Sequence, residues 1–146
     1  MNSNGGGSGA YIQTIMTLAA GTYTGTVGAY SLGSEVSYSA GQQSPSGGQT
    51  SFNGCIAYGG LGAYTYNLNG VETAGGPGGA YIAQGSVVQA LTGNPGSHTV
   101  IDDSWDYITA GVGGDSVYNG HGKGSGATSQ IVGIPGTNGY LNITAV

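Results

Sequence analysis

Glycine returns at intervals of three along this chain. In GIPGTNGY, residues 133–140, Gly133, Gly136 and Gly139 are three apart, and the same interval separates Gly59 from Gly62, Gly75 from Gly78, Gly76 from Gly79 and Gly111 from Gly114. A position without a side chain at every third residue is the spacing of extended left-handed helices, which turn once every three residues and make no hydrogen bonds of their own. Such helices must bond to neighbours. Collagen meets this need by winding three chains, but it requires a strict glycine period and abundant proline, and this sequence has neither, with only 4 prolines. The expectation is a set of short polyglycine-like runs packed side by side or against sheet, glycines inward.

Glycine in regular structure is worth roughly 0.5–1 kcal/mol less than alanine, and 33 of the 146 residues are glycine. Either the chain is disordered or its glycines permit an approach that a side chain would block. Disordered chains are poor in aromatic and β-branched residues and rich in net charge. Here there are 11 tyrosines, and charged residues are 5% of the chain, so folding is favoured. The length suits one domain.

Residues 1–9, MNSNGGGSG, have no periodicity and read as a flexible glycine-rich arm, with residues 10–146 as a single glycine-rich β domain. Period-two alternation follows in YIQTIMTL and again in TYTGTVGAY, which predicts a β-hairpin between residues 11–18 and 22–30. SEVSYSAG alternates as well, and TSFNGCIAY reads as one strand with Phe52, Ile56 and Tyr58 on one face. Asn69–Gly70 marks a hairpin turn, because both residues tolerate positive φ, and Asn138–Gly139 is a second such pair ahead of the alternating end GYLNITAV. Helix signals are nearly absent; only IAQGSVVQAL could coil briefly, and Gly85 opposes it. The fold class is therefore all-β: glycine-rich β-sandwich-like strands with short polyglycine II-like segments.

Glu35, Glu72, Asp102, Asp103, Asp106 and Asp115 stand against the single cation Lys123, for a formal charge of -5. Phosphate neutralisation needs several cations, so nucleic acid is excluded as a partner. The sequence has no apolar run long enough to span a bilayer and no signal-peptide pattern, which implies no membrane insertion and release by lysis or as part of a particle. Cys55 is alone, so no internal disulfide forms, and with no adjacent cation it reads as a buried inert thiol.

The ordered stretches GGGSGAY, TLAAGTYTGTVGA, GGQTSFNGCIAYGG and AGGPGGAY resemble the glycine-rich domain of tail fibres, tail tips and adhesins of tailed bacteriophages, over about residues 5–81. The chain departs from that pattern in lacking an apolar strand before the first glycine run and in carrying AYSLGSEVSYSAG where more glycine is usual. The resemblance implies a virion component exposed at the tail, extracellular, often trimeric, attached to other virion proteins and engaged with host cell-surface glycan or protein through loops between glycine motifs.

Catalytic chemistry has little to work with. His98 and His121 are the only imidazoles and no G-x-S-x-G elbow occurs. GHGKGSG fails as a phosphate loop, with Val117 where glycine is needed and Gly124 where Ser or Thr is needed. DDSWDY reads first as a solvated acidic turn around a half-buried Trp; as a sugar-contact loop it offers an aromatic face and carboxylates, and as a calcium site it lacks further ligands. The loops are dominated by Tyr, Ser, Gly and Asn, the composition of antibody paratopes. The candidate receptor contacts are Tyr64, Tyr66, Tyr81, Asp102, Asp103, Trp105, Asp106, Tyr107 and Tyr118, with no catalytic residue, metal or cofactor. The expected role is non-enzymatic and oligomeric, three chains favoured. A self-assembling fibre or coat subunit is the alternative, and an ice-binding protein with flat polyglycine faces the third.

Overall fold

A computed structural model describes residues 5–31, 45–62, 75–97, 100–101, 107–109, 112–127 and 133–145. They contain no helix, and ten short strands form four antiparallel sheets. What organises them is a bundle of glycine-bearing extended segments.

The segment 5–10 sits at the centre. Gly5 N and Ser8 N donate to Ser97 O and Asn94 O at 2.9 and 2.8 Å; Gly6 N and Gly9 N donate to Ser125 O and Gly122 O, both at 2.7 Å; Gly7 N and Ala10 N donate to Leu61 O and Tyr58 O, both at 3.0 Å. Residues three apart thus address the same neighbour, which is the signature of one turn per three residues. Carbonyls alternate with these amides around the axis, Gly5 O and Ser8 O accepting from Gly76 and Gly79, Gly6 O from Gly114. Five segments, 58–62, 75–80, 92–97, 112–115 and 122–125, surround the centre in that order. Each is bonded to the next, as in Leu61 N to Pro77 O, Gly96 N to Gly76 O, Ser97 N to Val112 O and Gly124 N to Gly114 O.

The expectation of inward glycines holds, and the reason is steric. A Cβ on Gly7 would overlap the Pro77 carbonyl, one on Gly60 the Gly7 carbonyl, and one on Gly93 the Ser8 carbonyl. Residues 5–9 are therefore no free arm: Gly5 to Ser8 are buried and form the axis of the molecule. Ser8 is fully buried and its Oγ accepts from Asn94 N at 2.7 Å.

Strands cap the bundle at the end where segment 5–10 runs into β1 (Tyr11–Ile15). The predicted hairpin between 11–18 and 22–30 does not form. β1 pairs instead with β6 (Ser86–Leu91), with a bulge at Gln13/Thr14. The partner of β1 is set by which segments the bundle brings together, Asn94 beside Ser8, and not by chain proximity. The stretch 86–91 is strand throughout, and Gly85 precedes it at φ 77. β2 (Gly25–Thr26), β3 (Thr50–Phe52), β4 (Cys55–Ala57) and β5 (Tyr81–Ile82) make the largest sheet, in sequence order. TSFNGCIAY is two strands rather than one, because Asn53 and Gly54 take φ 44 and 80 and turn the chain back. Asn138–Gly139 makes no turn; Gly139 N and Gly136 N bond the 28–31 segment at Gly28 O and Ser31 O, three residues apart on both sides. Asn69–Gly70 lies outside the described residues. β7 (Val100–Ile101) pairs with β8 (Tyr107–Thr109), and β9 (Gly126–Ala127) with β10 (Gly133–Ile134).

Cys55 is the one buried apolar side chain among the described residues, and its sulfur accepts from Gln84 N at 3.2 Å. Main-chain hydrogen bonds, rather than an apolar core, hold these segments together.

Candidate functional site

Chain direction alternates from segment to segment, and this sorts the connections between the two ends of the bundle. Gly5 lies level with Ser97 and Gly76, Gly6 with Ser125 and Gly114, Gly7 with Leu61, and Gly136 with Ser31. At that end the chain leaves after residues 31, 62, 97 and 125, and returns at 45, 75, 112 and 135. At the opposite end lie β1 to β6 and the turn of residues 116–121.

The candidate receptor residues divide accordingly. Tyr64 and Tyr66 belong to the connection 63–74, and Asp102, Asp103, Trp105 and Asp106 to the connection 98–111; all six lie outside the described residues. Tyr107 opens β8 on the same connection. Tyr81 and Tyr118 sit at the strand end, Tyr81 exposed in β5 and Tyr118 half-buried in the 116–121 turn.

Tyr118 belongs to an aromatic row that its sequence neighbours do not announce. Its ring stacks on Tyr11 at 4.5 Å between centroids and lies 6.1 Å from Tyr140, which stacks on His121 at 4.6 Å. The row is assembled by a turn. Asn119 and Gly120 take φ 44 and 81, pairing Tyr118 with His121, and Ser116 Oγ ties the turn by accepting from Tyr118 N at 3.0 Å. Partial burial, with the neighbouring Tyr118 hydroxyl second, raises the Tyr11 pKa above the ordinary phenol value. The sequence alone gives no role to Tyr11 or Tyr140 and presents His121 only as an imidazole without a catalytic partner. Asn119–Gly120 is the signal that could have found them, being the same turn chemistry read at 69–70.

Lys123 pairs with Asp115 at 3.6 Å, both exposed, an interaction of small value. Among the described residues no cluster of His, Cys, Asp or Glu could hold a metal ion.

Beside the packed centre the segments form a second ring. From 122–125 it passes to 135–139 through Thr137 N to Lys123 O, then to 28–31, then to 45–49 through Gly48 N to Ala29 O, and back to 58–62 through Gly47 N to Gly60 O. With 5–10 these five segments surround a channel lined among others by Gly6, Gly9, Tyr30, Gly47, Gly60 and Ser125, part of a cavity of about 950 Å³ in all. It continues between Tyr11–Leu18 and Leu141–Ala145.

The described fold defines a class: an all-β protein organised by a lattice of glycine segments. The family is also defined, since the glycine-rich domain family matches residues 1–145 and the chain belongs to it. No curated protein and no solved structure matches the chain.

Proposed function

We propose that this chain is a non-enzymatic structural protein of a tailed-phage particle, a tail-fibre or tail-tip component that holds receptor-binding loops rigidly toward the host surface. The observation that carries the reading is the exit of four connections, after residues 31, 62, 97 and 125, from one end of the bundle. A lattice of main-chain hydrogen bonds has no soft core to deform, so the loop anchors stay fixed relative to one another. That preorganisation lowers the entropy cost of binding. Tyr64, Tyr66, Asp102, Asp103, Trp105, Asp106 and Tyr107 all belong to these connections, where aromatic faces suit sugar rings and carboxylates suit hydroxyls. Tyr81 and Tyr118, at the other end, fall outside the proposed contact surface. The location is the virion exterior, with other virion proteins as partners.

The test is retention of purified protein on bacterial cells that differ in surface glycan. Trp105→Ala should weaken retention at least tenfold with no change in thermal unfolding, and Tyr118→Ala should leave retention intact. Equal retention by Trp105→Ala and the parent protein would refute the loop assignment.

A second reading, a self-assembling fibre or coat subunit with a purely structural role, is supported by a different observation. Ile15, Val88 and Ile143 are 58%, 57% and 59% exposed, and apolar side chains displayed at this level mark association surfaces when they are contiguous. Cell binding separates the readings: retention that Trp105→Ala abolishes supports the first, and a particle that assembles but is never retained on cells supports the second.

A further inference from the structure

We propose that the channel beside segment 5–10 is a docking site for an extended glycine-rich strand of a partner polypeptide, which would enter as one more member of the lattice. The inference rests on hydrogen-bond directions and on where glycine stands, independently of the receptor-binding reading.

Amides and carbonyls of segment 5–10 alternate around its axis, so its six sides alternate between giving and accepting. Five sides are occupied. The sixth, between 122–125 and 58–62, is by this alternation an accepting side, and Gly7 O, which receives no hydrogen bond from the described residues, is the carbonyl left for it. On the flanking segments Gly60 N and Ser125 N likewise have no acceptor among the described residues. Donors and acceptors around the channel thus match the two kinds of group that any peptide backbone carries, at the spacing of a three-residue turn. The stretch level with Gly6 to Ala10 corresponds to about five residues of such a strand at roughly 3.1 Å each.

The glycines point to the same occupant. Around the packed sides, a Cβ on Gly5, Gly7, Gly60 or Gly124 would overlap a neighbouring backbone. Gly9 and Gly47 line the channel, and a Cβ on either would meet its nearest atom at 3.5 Å, an ordinary contact, with neither residue at positive φ. The chain's own packing therefore leaves room for alanine at both. A further backbone in the channel would remove that room, since close approach of main chains is what the glycines elsewhere in the lattice permit. Beyond Ala10 the channel runs beside β1, which among the described residues is paired only with β6, so that its other edge has no described partner. An occupant with a glycine run followed by a strand could continue by adding to that edge.

The probe is a synthetic acetylated and amidated peptide of three Gly-Gly-Ser repeats followed by alternating Thr and Val, titrated into the intact protein while amide exchange is followed by NMR. Saturation is expected to slow exchange at Gly60 and Ser125 at least tenfold. Gly9→Val, which fills the channel, should abolish the effect while leaving the exchange of Gly5 and Gly7 as it was; if that variant fails to fold, Gly47→Val serves. The same peptide with alanine for every glycine should have no effect. The proposal is overturned if millimolar peptide leaves Gly60 and Ser125 unchanged, or if both channel variants bind as the parent does. It is overturned equally if those amides are already as protected as Gly5 and Gly7 in the free protein, which would mean that this chain or a second copy of it fills the space.

Discussion

The two halves of the glycine bundle are built from the same kind of segment and differ in what lies at their centres. Around segment 5–10 the middle is a polypeptide, Gly5 to Ser8 are buried, and a methyl group on almost any glycine would strike a carbonyl. Around the channel the middle is open, and Gly9 and Gly47 meet nothing closer than 3.5 Å. The contrast shows that glycine serves two ends here. In the first half it is demanded by neighbours within the chain; around the channel those neighbours demand it at Gly28, Gly48, Gly59 and Gly136 but not at Gly9 and Gly47.

Alanine substitution tests that contrast, with opposite signs expected on the two sides. Gly7→Ala drives a methyl into the Pro77 carbonyl, which has little freedom to move, and should cost at least about 3 kcal/mol, the upper end for overpacking. Thermal unfolding reads this directly; an unchanged midpoint would show that the packed half is looser than its hydrogen bonds imply. Gly9→Ala has space and a permissive φ, and should stabilise the isolated protein by about 0.4–1 kcal/mol through the unfolded chain. A loss there would erase the distinction between the halves.

The smallest expected effect lies at the aromatic row. Because the Tyr11 pKa is raised in the folded protein, the unfolded chain releases that proton first as the solution is made alkaline. Its contribution to stability is complete below the ordinary phenol range and is lost as pH rises through the folded value. Absorbance titration should show Tyr11 ionising late, and Tyr118→Leu should move it earlier by removing the neighbouring hydroxyl.

The three-residue glycine spacing was the most informative feature of the sequence, and Gly136 and Gly139 satisfy it by both bonding segment 28–31. Local alternation identified strand character at 11–15 but not its partner. β1 finds β6 across some seventy residues because the lattice, assembled from distant runs, decides which ends are adjacent. GGGSG, free of any periodicity in side chains, reads as an arm for the same reason: its order comes from neighbours on five sides, and a one-dimensional pattern has no trace of them. Asn53–Gly54 and Asn119–Gly120 could have been read as turns by the rule applied at 69–70. That the described ends flanking the connections 63–74 and 98–111 lie at one end of the bundle follows from counting reversals of direction, which requires knowing that each glycine run is a full traverse. The channel had no counterpart in the sequence, since it is the space between segments rather than a property of any one of them.

A protein whose segments are held main chain to main chain has an unusual thermal consequence. Melting ordinary domains wets hydrocarbon, which raises the heat capacity by about 12–15 cal/mol/K per residue, while wetting peptide groups lowers it. With Cys55 the one apolar side chain buried among the described residues, the increment per residue should fall below that range in calorimetry. The free energy of unfolding would then change little between a cold and a warm environment, and cohesion would persist on chilling where oil-like interiors weaken.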